Sequence, residues 1–180
     1  MPSHNPFAKR NICLHKHWDV PGLANDYYND VMDWASTDHL CIAISDKVIL
    51  TSQNGEVNPI TRQPVKTRRQ HFQEIVVNNS FVTALKLHPR QLLAAAGTDT
   101  GHLEIYELEK FTHLRLWRIS SKRINCMAWY GNQAVCGGVD GKISICDLKE
   151  KVTDKQKLVV TPETQICGLA IRGNYLAAGS

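Results

Sequence analysis

An all-β fold, an incomplete β-propeller built from four-stranded blades, is what this sequence predicts, and three observations predict it. Segments opening at Val82, Ile124 and Ile166 recur at a spacing of 42 residues, inside the roughly 40 to 45 residues of one propeller blade. Each copy opens on alternating residues: Val82-Thr83-Ala84-Leu85-Lys86-Leu87, then Ile124-Asn125-Cys126-Met127-Ala128-Trp129, then Ile166-Cys167-Gly168-Leu169-Ala170-Ile171. A period of two is the period of a strand. Small residues dominate the second strand of each copy, at 92–97, 134–138 and 176–179, which suits the crowded inner strands of a radial fold.

Taken in chain order, residues 1–24 form a lead segment and the partial propeller occupies 25–180. Blade 1 covers about 27–53, with strand-like stretches at Val31-Met32-Asp33-Trp34-Ala35, Leu40-Cys41-Ile42-Ala43-Ile44 and Val48-Ile49-Leu50. A basic insertion at 54–71 carries Arg62, Lys66, Arg68 and Arg69 between Pro59, Pro64 and His71. It reads as a solvated loop, with a partner-binding or nuclear-import patch as the alternative. Blade 2 spans about 72–110 and turns at Thr98-Asp99-Thr100-Gly101 before Leu103-Glu104-Ile105-Tyr106. Blade 3 spans about 111–150 and turns at Asp140-Gly141, a hairpin dipeptide because Gly tolerates the positive φ required. Residues 158–180 begin blade 4.

Tyr106-Glu107 and Cys146-Asp147 stand where repeats of this length carry Trp-Asp, so the class is a degenerate WD40-type propeller. From Tyr27 onward the pattern makes about 3.7 blades at this period. Rings close with four to eight blades, and closure removes unpaired strand edges. The expectation is therefore part of a longer propeller, or an isoform that a partner completes.

Composition narrows the function. A net charge of +4, spread along the chain, is too weak to indicate nucleic-acid binding. The apolar runs are far shorter than the roughly 18 residues of a membrane span, and residues 1–11 lack the apolar core of a secretory leader. Cytoplasm and nucleus are the expected compartments, and there the sequon Asn78-Asn79-Ser80 is no glycan acceptor. The six cysteines contain no Cys-x-x-Cys pair and read as reduced, mostly small core hydrophobes. Cys13, His15 and His17 offer three metal donors without a fourth at metal-site spacing, so no metal or cofactor is expected.

Neither a nucleophile elbow nor a phosphate-binding loop occurs. Gly97 and Gly137-Gly138 precede hairpin turns rather than helices, and Asp26, Asp30, Asp33 and Asp147 have no partner that the sequence reveals. A non-catalytic binding platform is the reading that remains, with loops on a rigid scaffold holding peptides.

The stretch Val20-Pro21-Gly22-Leu23-Ala24-Asn25-Asp26-Tyr27-Tyr28-Asn29-Asp30-Val31-Met32-Asp33-Trp34 resembles the approach to the propeller of the Fizzy family, substrate-recruiting co-activators of the anaphase-promoting complex ubiquitin ligase. His113-Leu114-Arg115-Leu116, Arg123-Ile124-Asn125-Cys126-Met127-Ala128-Trp129 and Gln165-Ile166-Cys167-Gly168-Leu169 resemble the family's successive blade junctions, in order. The resemblance covers roughly 18–180. It implies a seven-bladed propeller acting as an adaptor, with the anaphase-promoting complex and degron-bearing substrates as partners. Degrons of the Arg-x-x-Leu type would place their arginine against Asp26, since a carboxylate accepts a charge-assisted fork from a guanidinium. Tyr28 and Asn29 would neighbour the pocket for the degron leucine.

Three departures qualify the match. Polar Asn29 replaces an apolar residue beside that pocket, which alters substrate preference. The stretch Trp117-Arg118-Ile119-Ser120-Ser121-Lys122 lacks a Gly-His, so blade 3 is expected to lack the His-to-Asp link. The resemblance implies a ligase-docking box and an Ile-Arg tail, neither of which occurs within these 180 residues, and a degron groove between first and last blades, of which one wall is expected here. A divergent, meiosis-specialised member of the Cortex type fits these losses, and the chain alone is expected to bind degrons weakly or not at all. A general WD40 scaffold without degron recognition is the alternative.

Overall fold

The computed structural model describes residues 19–34, 39–52, 73–78, 80–150, 157–160 and 164–180. Among the described residues every regular element is a strand. The first sheet orders β1 (Met32–Trp34), β2 (His39–Ile44), β3 (Lys47–Ser52) and β4 (Gln73–Val76). A second holds β5 (Val82–Leu87), β6 (Leu93–Thr98), β7 (His102–Glu107) and β8 (Thr112–Arg118). The third holds β9 (Ile124–Tyr130), β10 (Gln133–Gly138), β11 (Lys142–Asp147) and β12 (Lys157–Val160), and β13 (Gly168–Arg172) pairs with β14 (Tyr175–Gly179). Strands within each sheet pair antiparallel with their sequence neighbours. The inner strands β1, β5, β9 and β13 pack side by side in that order.

Sheet boundaries differ from those expected. β4 pairs with β3, in register Lys47 to Val76, so blade 1 continues beyond the 54–71 insertion, itself outside the described residues. β8 likewise joins β7 and β12 joins β11, which moves 112–118 into blade 2 and 157–160 into blade 3. A periodic sequence has no intrinsic starting point. Only the hydrogen-bond register shows which inner hairpin an outer strand completes.

Each pair of neighbouring sheets encloses an apolar core. Cys41, Val48 and Leu50 meet Leu85, Leu87 and Tyr106 in the first, and Leu103, Ile105 and Trp117 meet Ile124, Met127 and Cys136 in the second. The third joins Val135 and Ile143 to Ile166. The small second strands have a definite purpose: a Cβ on Gly97 would lie 2.7 Å from Ile124 Cγ2, and one on Gly137 2.6 Å from Ile166 Cγ2. In both places the opening isoleucine of the next blade lies where that side chain would be.

Irregularities recur with the same period. The β5–β6 ladder slips between Val82 and Ala84, and the β9–β10 ladder slips between Gly137 and Gly138, opposite the stretch between Ile124 and Cys126. The residues thus displaced are Thr83 and Asn125, and both reach to the next blade. Thr83 Oγ1 donates to the Ile124 carbonyl at 2.7 Å, and Asn125 Nδ2 to the Ile166 carbonyl at 3.0 Å. A bulge re-aims a side chain in this way, turning a defect in one ladder into a tie between two.

Loops add further ties. Asp140-Gly141 forms the expected turn, with Gly141 at φ 72°. Blade 3 has no His-to-Asp link, yet Ser120 Oγ donates to Asp140 Oδ2 at 2.9 Å. A hydroxyl from the preceding loop therefore restores the connection that the missing Gly-His removes. His88 is buried at the edge of Trp129, its Nδ1 accepting from the amides of Arg90 and Gln91, which leaves Nε2 to donate to the Gly131 carbonyl at 2.8 Å.

At the two ends of the array, apolar side chains face solvent. Met32 and Trp34 on β1 are each 49% exposed, and Tyr175 on β14 is 84% exposed. Open sheet faces of this kind recruit further chain. Residues 1–180 produced on their own, 20.3 kDa, are expected to elute as a dimer or larger species in light-scattering chromatography. A single peak at the monomer mass would contradict this.

Candidate functional site

The segment leading into β1 is shaped by an aspartate turn. Asp26 Oδ1 accepts the Tyr28 amide at 3.0 Å while its carbonyl accepts the Asn29 amide at 3.1 Å, the local pairing that makes Asp favourable in turns. Tyr27 is thereby left 94% exposed, in edge contact with half-exposed Tyr28. Asn29 is half-buried and its Oδ1 is buried without a hydrogen-bond partner. The chain then crosses to the second sheet, where the Asp30 amide meets the Thr83 carbonyl and the Leu85 amide meets the Asp30 carbonyl, in a parallel bridge.

The carboxylates that lacked partners in the sequence have them in space. Asp26 Oδ2 accepts Arg123 Nη1 at 2.7 Å across 97 residues of chain. Lys86 lies 2.9 Å from Asp30 and 3.8 Å from Asp33, whose Oδ2 also accepts the Leu87 amide. Asp147 accepts Gln133 Nε2 at 3.0 Å. Arg123 extends the Asp26 contact inward: its Nε donates to Asn125 Oδ1 at 2.9 Å, and Asn125 is the residue that ties blade 3 to Ile166. One hydrogen-bonded path thus runs from the lead-in turn through blade 3 to the start of blade 4. The Asp26 carboxyl is held below its ordinary value, first by the Tyr28 amide, then by the hydrogen bond and charge of Arg123, with partial desolvation opposing both.

Sequence reasoning picked out Asp26, Tyr28 and Asn29, and the structure places all three in one turn. It missed Arg123, which lies in a quoted blade junction but gives no local sign of its distant partner. Cys13, His15 and His17 lie outside the described residues. Cys41, Cys126, Cys136 and Cys146 are buried free thiols. Burial pushes Cys41, Cys126 and Cys146 up to about 12 and Cys136 well above its ordinary value, with charge from Asp33 adding at Cys41, so none is a nucleophile at neutral pH. Among the described residues no three His, Cys, Asp or Glu side chains are grouped to hold a metal.

Radially packed antiparallel blades, tied at a 42-residue period, define this class of protein as a WD40-type β-propeller, present here in part. Comparison with known proteins agrees. A chain of a mitotic checkpoint complex superposes with a TM-score of 0.78 at 22% identity, covering 99% of this chain and 52% of that one. A computationally designed protein, Ika4, superposes at 0.63 with 16% identity, over 96% of this chain and 92% of its own.

The sequence relatives include a WD-repeat protein, a fizzy-related protein and an activator of the anaphase-promoting complex, in line with the Fizzy resemblance. WD repeat-containing protein slp1 of Schizosaccharomyces pombe is 23% identical over 99% of this chain and 34% of its own length. Meiotic fizzy-related protein 1 of the same yeast is 27% identical over 86% of this chain and 34% of its own. APC/C activator protein CDH1 of Saccharomyces cerevisiae is 28% identical over 89% and 26%. This chain therefore spans between about a quarter and a third of the length of these curated relatives. No protein-family model matches it.

Proposed function

We propose that these residues are the amino-terminal part of a propeller that recruits degron-bearing substrates to the anaphase-promoting complex, as a non-catalytic adaptor working in cytoplasm and nucleus. The observation that carries the reading is the match of 89% of the chain to APC/C activator protein CDH1. The lead-in turn supports it. Its carboxylate is 38% exposed at the side chain and ionised by its surroundings, the state in which it accepts a guanidinium from an Arg-x-x-Leu peptide. Tyr27 and Tyr28 supply adjacent aromatic surface.

The test is peptide binding by the intact protein, together with co-purification of ligase subunits. Asp26→Ala is expected to weaken an Arg-x-x-Leu peptide by roughly tenfold or more, the loss of one charge-assisted contact, with no change for an Ala-x-x-Leu control. Unchanged affinity for the arginine peptide would remove the role given to Asp26.

A scaffold without degron recognition is the second reading, and the internal pairing of Asp26 with Arg123 favours it. Recovery of a stable assembly free of ligase subunits, with Asp26→Ala binding every peptide as the parent does, would select it.

A further inference from the structure

Asp26 already holds an arginine, and it comes from this chain. Arg123 donates through Nη1 to Asp26 Oδ2 at 2.7 Å, while the other oxygen takes the Tyr28 amide at 3.0 Å. We infer that Arg123 is an internal competitor for Asp26, which an arginine-bearing peptide must displace and which thereby limits affinity at this site. The inference rests on the peptide-binding reading above.

The geometry explains both parts. A two-pronged arginine contact uses both carboxylate oxygens, and Arg123 Nη1 already occupies one acceptor position of Oδ2. An incoming guanidinium that leaves the pair intact has to share that oxygen beside a like charge. Arg123 is not free to swing far away, because Nε is anchored on Asn125 Oδ1 at 2.9 Å and Asn125 is fully buried. The competitor therefore stays at the site after displacement. The contact is also soft: the two side chains are 26% and 38% exposed, and ion pairs this open to water are worth little enough for a ligand to break.

The competition sets affinity rather than selectivity. A lysine is a point charge and cannot form the fork, so it gains less from Asp26 than an arginine does. The cost of displacing Arg123 is common to both ligands and cancels in the ratio of their affinities. Removing it should therefore tighten both ligands by the same factor.

The experiment is a fluorescence-anisotropy titration of the intact protein with labelled Arg-x-x-Leu, Lys-x-x-Leu and Ala-x-x-Leu peptides. The variants are Arg123→Gln, Asp26→Asn and the two combined. Arg123→Gln is expected to tighten the arginine peptide about twofold to fivefold, the range of one partly exposed ion pair. The ratio of arginine to lysine affinity should stay as in the parent, and the double variant should bind as weakly as Asp26→Asn alone.

Arg123→Met keeps the packing of the stem and stands in if Arg123→Gln melts early. If the arginine peptide depends on Asp26 but neither Arg123 variant tightens it, the competitor role is wrong and the peptide-binding reading survives. If Asp26→Asn binds the arginine peptide as the parent does, the peptide-binding reading falls and this inference falls with it.

Discussion

Gly97→Val is expected to destabilise the protein by about 3 kcal/mol, the upper range for overpacking a filled core. The position lies on β6 facing blade 3, where even a Cβ would sit 2.7 Å from Ile124 Cγ2, 3.0 Å from Ile124 Cβ and 3.3 Å from Met127 Sδ. Ile124 and Met127 are buried to within 2%, and a β-branched side chain has little rotamer freedom with which to yield. Relief has to come from the backbone, by spreading blade 2 from blade 3. Such spreading stretches the Thr83 contact to Ile124 and the packing of Trp117 in the same core. Urea denaturation of Gly97→Ala and Gly97→Val should give losses that rise with side-chain size. Adding Ile124→Ala to Gly97→Ala should recover part of the loss through a favourable coupling of about 1 kcal/mol. Strict additivity would show that the clash is absorbed elsewhere.

Glu104→Ala should cost about 3 kcal/mol for a different reason, the stranding of a buried donor. Glu104 is 1% exposed on β7. Its Oε2 accepts the Tyr106 hydroxyl and, at 2.9 Å, the Asn78 amide from the loop joining blades 1 and 2. His113 Nε2 from β8 stands 3.6 Å away, and the His113 ring meets Tyr106 edge-on at 5.3 Å. Truncation leaves the buried Tyr106 hydroxyl without its acceptor, while the exposed Asn78 can turn its amide to water. Glu104→Gln keeps an oxygen and should lose far less, and pairing Glu104→Ala with Tyr106→Phe should restore about 1 kcal/mol by removing one stranded donor. Equal losses for Ala and Gln would mean that packing, rather than the network, governs this position.

Both positions show how the fold became legible. Glycine, alanine and isoleucine at a fixed period mark crowded inner strands, so the propeller class could be read from 82, 124 and 166 alone. That Gly97 accommodates Ile124, 27 residues downstream, required the blades to be placed side by side. Glu104 reads in the sequence as one residue of an alternating strand. Its value as a buried acceptor depends on Asn78 arriving from outside its blade.

The site divides along the same line. Asn25-Asp26-Tyr27-Tyr28 carries its turn locally, because an aspartate side chain captures the amide two residues on, and its likeness to a co-activator segment was legible without coordinates. Arg123 was not, since its partner is 97 residues away, and nothing in local spacing distinguishes it from any other basic residue before a strand. Loss of the Gly-His before Ile124 was visible, while its replacement by Ser120 was not. The side-chain ties from Thr83 to Ile124 and from Asn125 to Ile166 each join residues 41 positions apart.

By itself, then, the sequence determined the strand period, the repeat length and the turn chemistry, because each is a pattern of residue types a few positions apart. The tertiary structure alone decided which hairpin each outer strand completes and which side chain tied neighbouring blades. It also decided that Asp26 faces an arginine of its own chain. Those outcomes depend on hydrogen-bond register and on close approach between segments tens of residues apart, and neither quantity is written in any local stretch of chain.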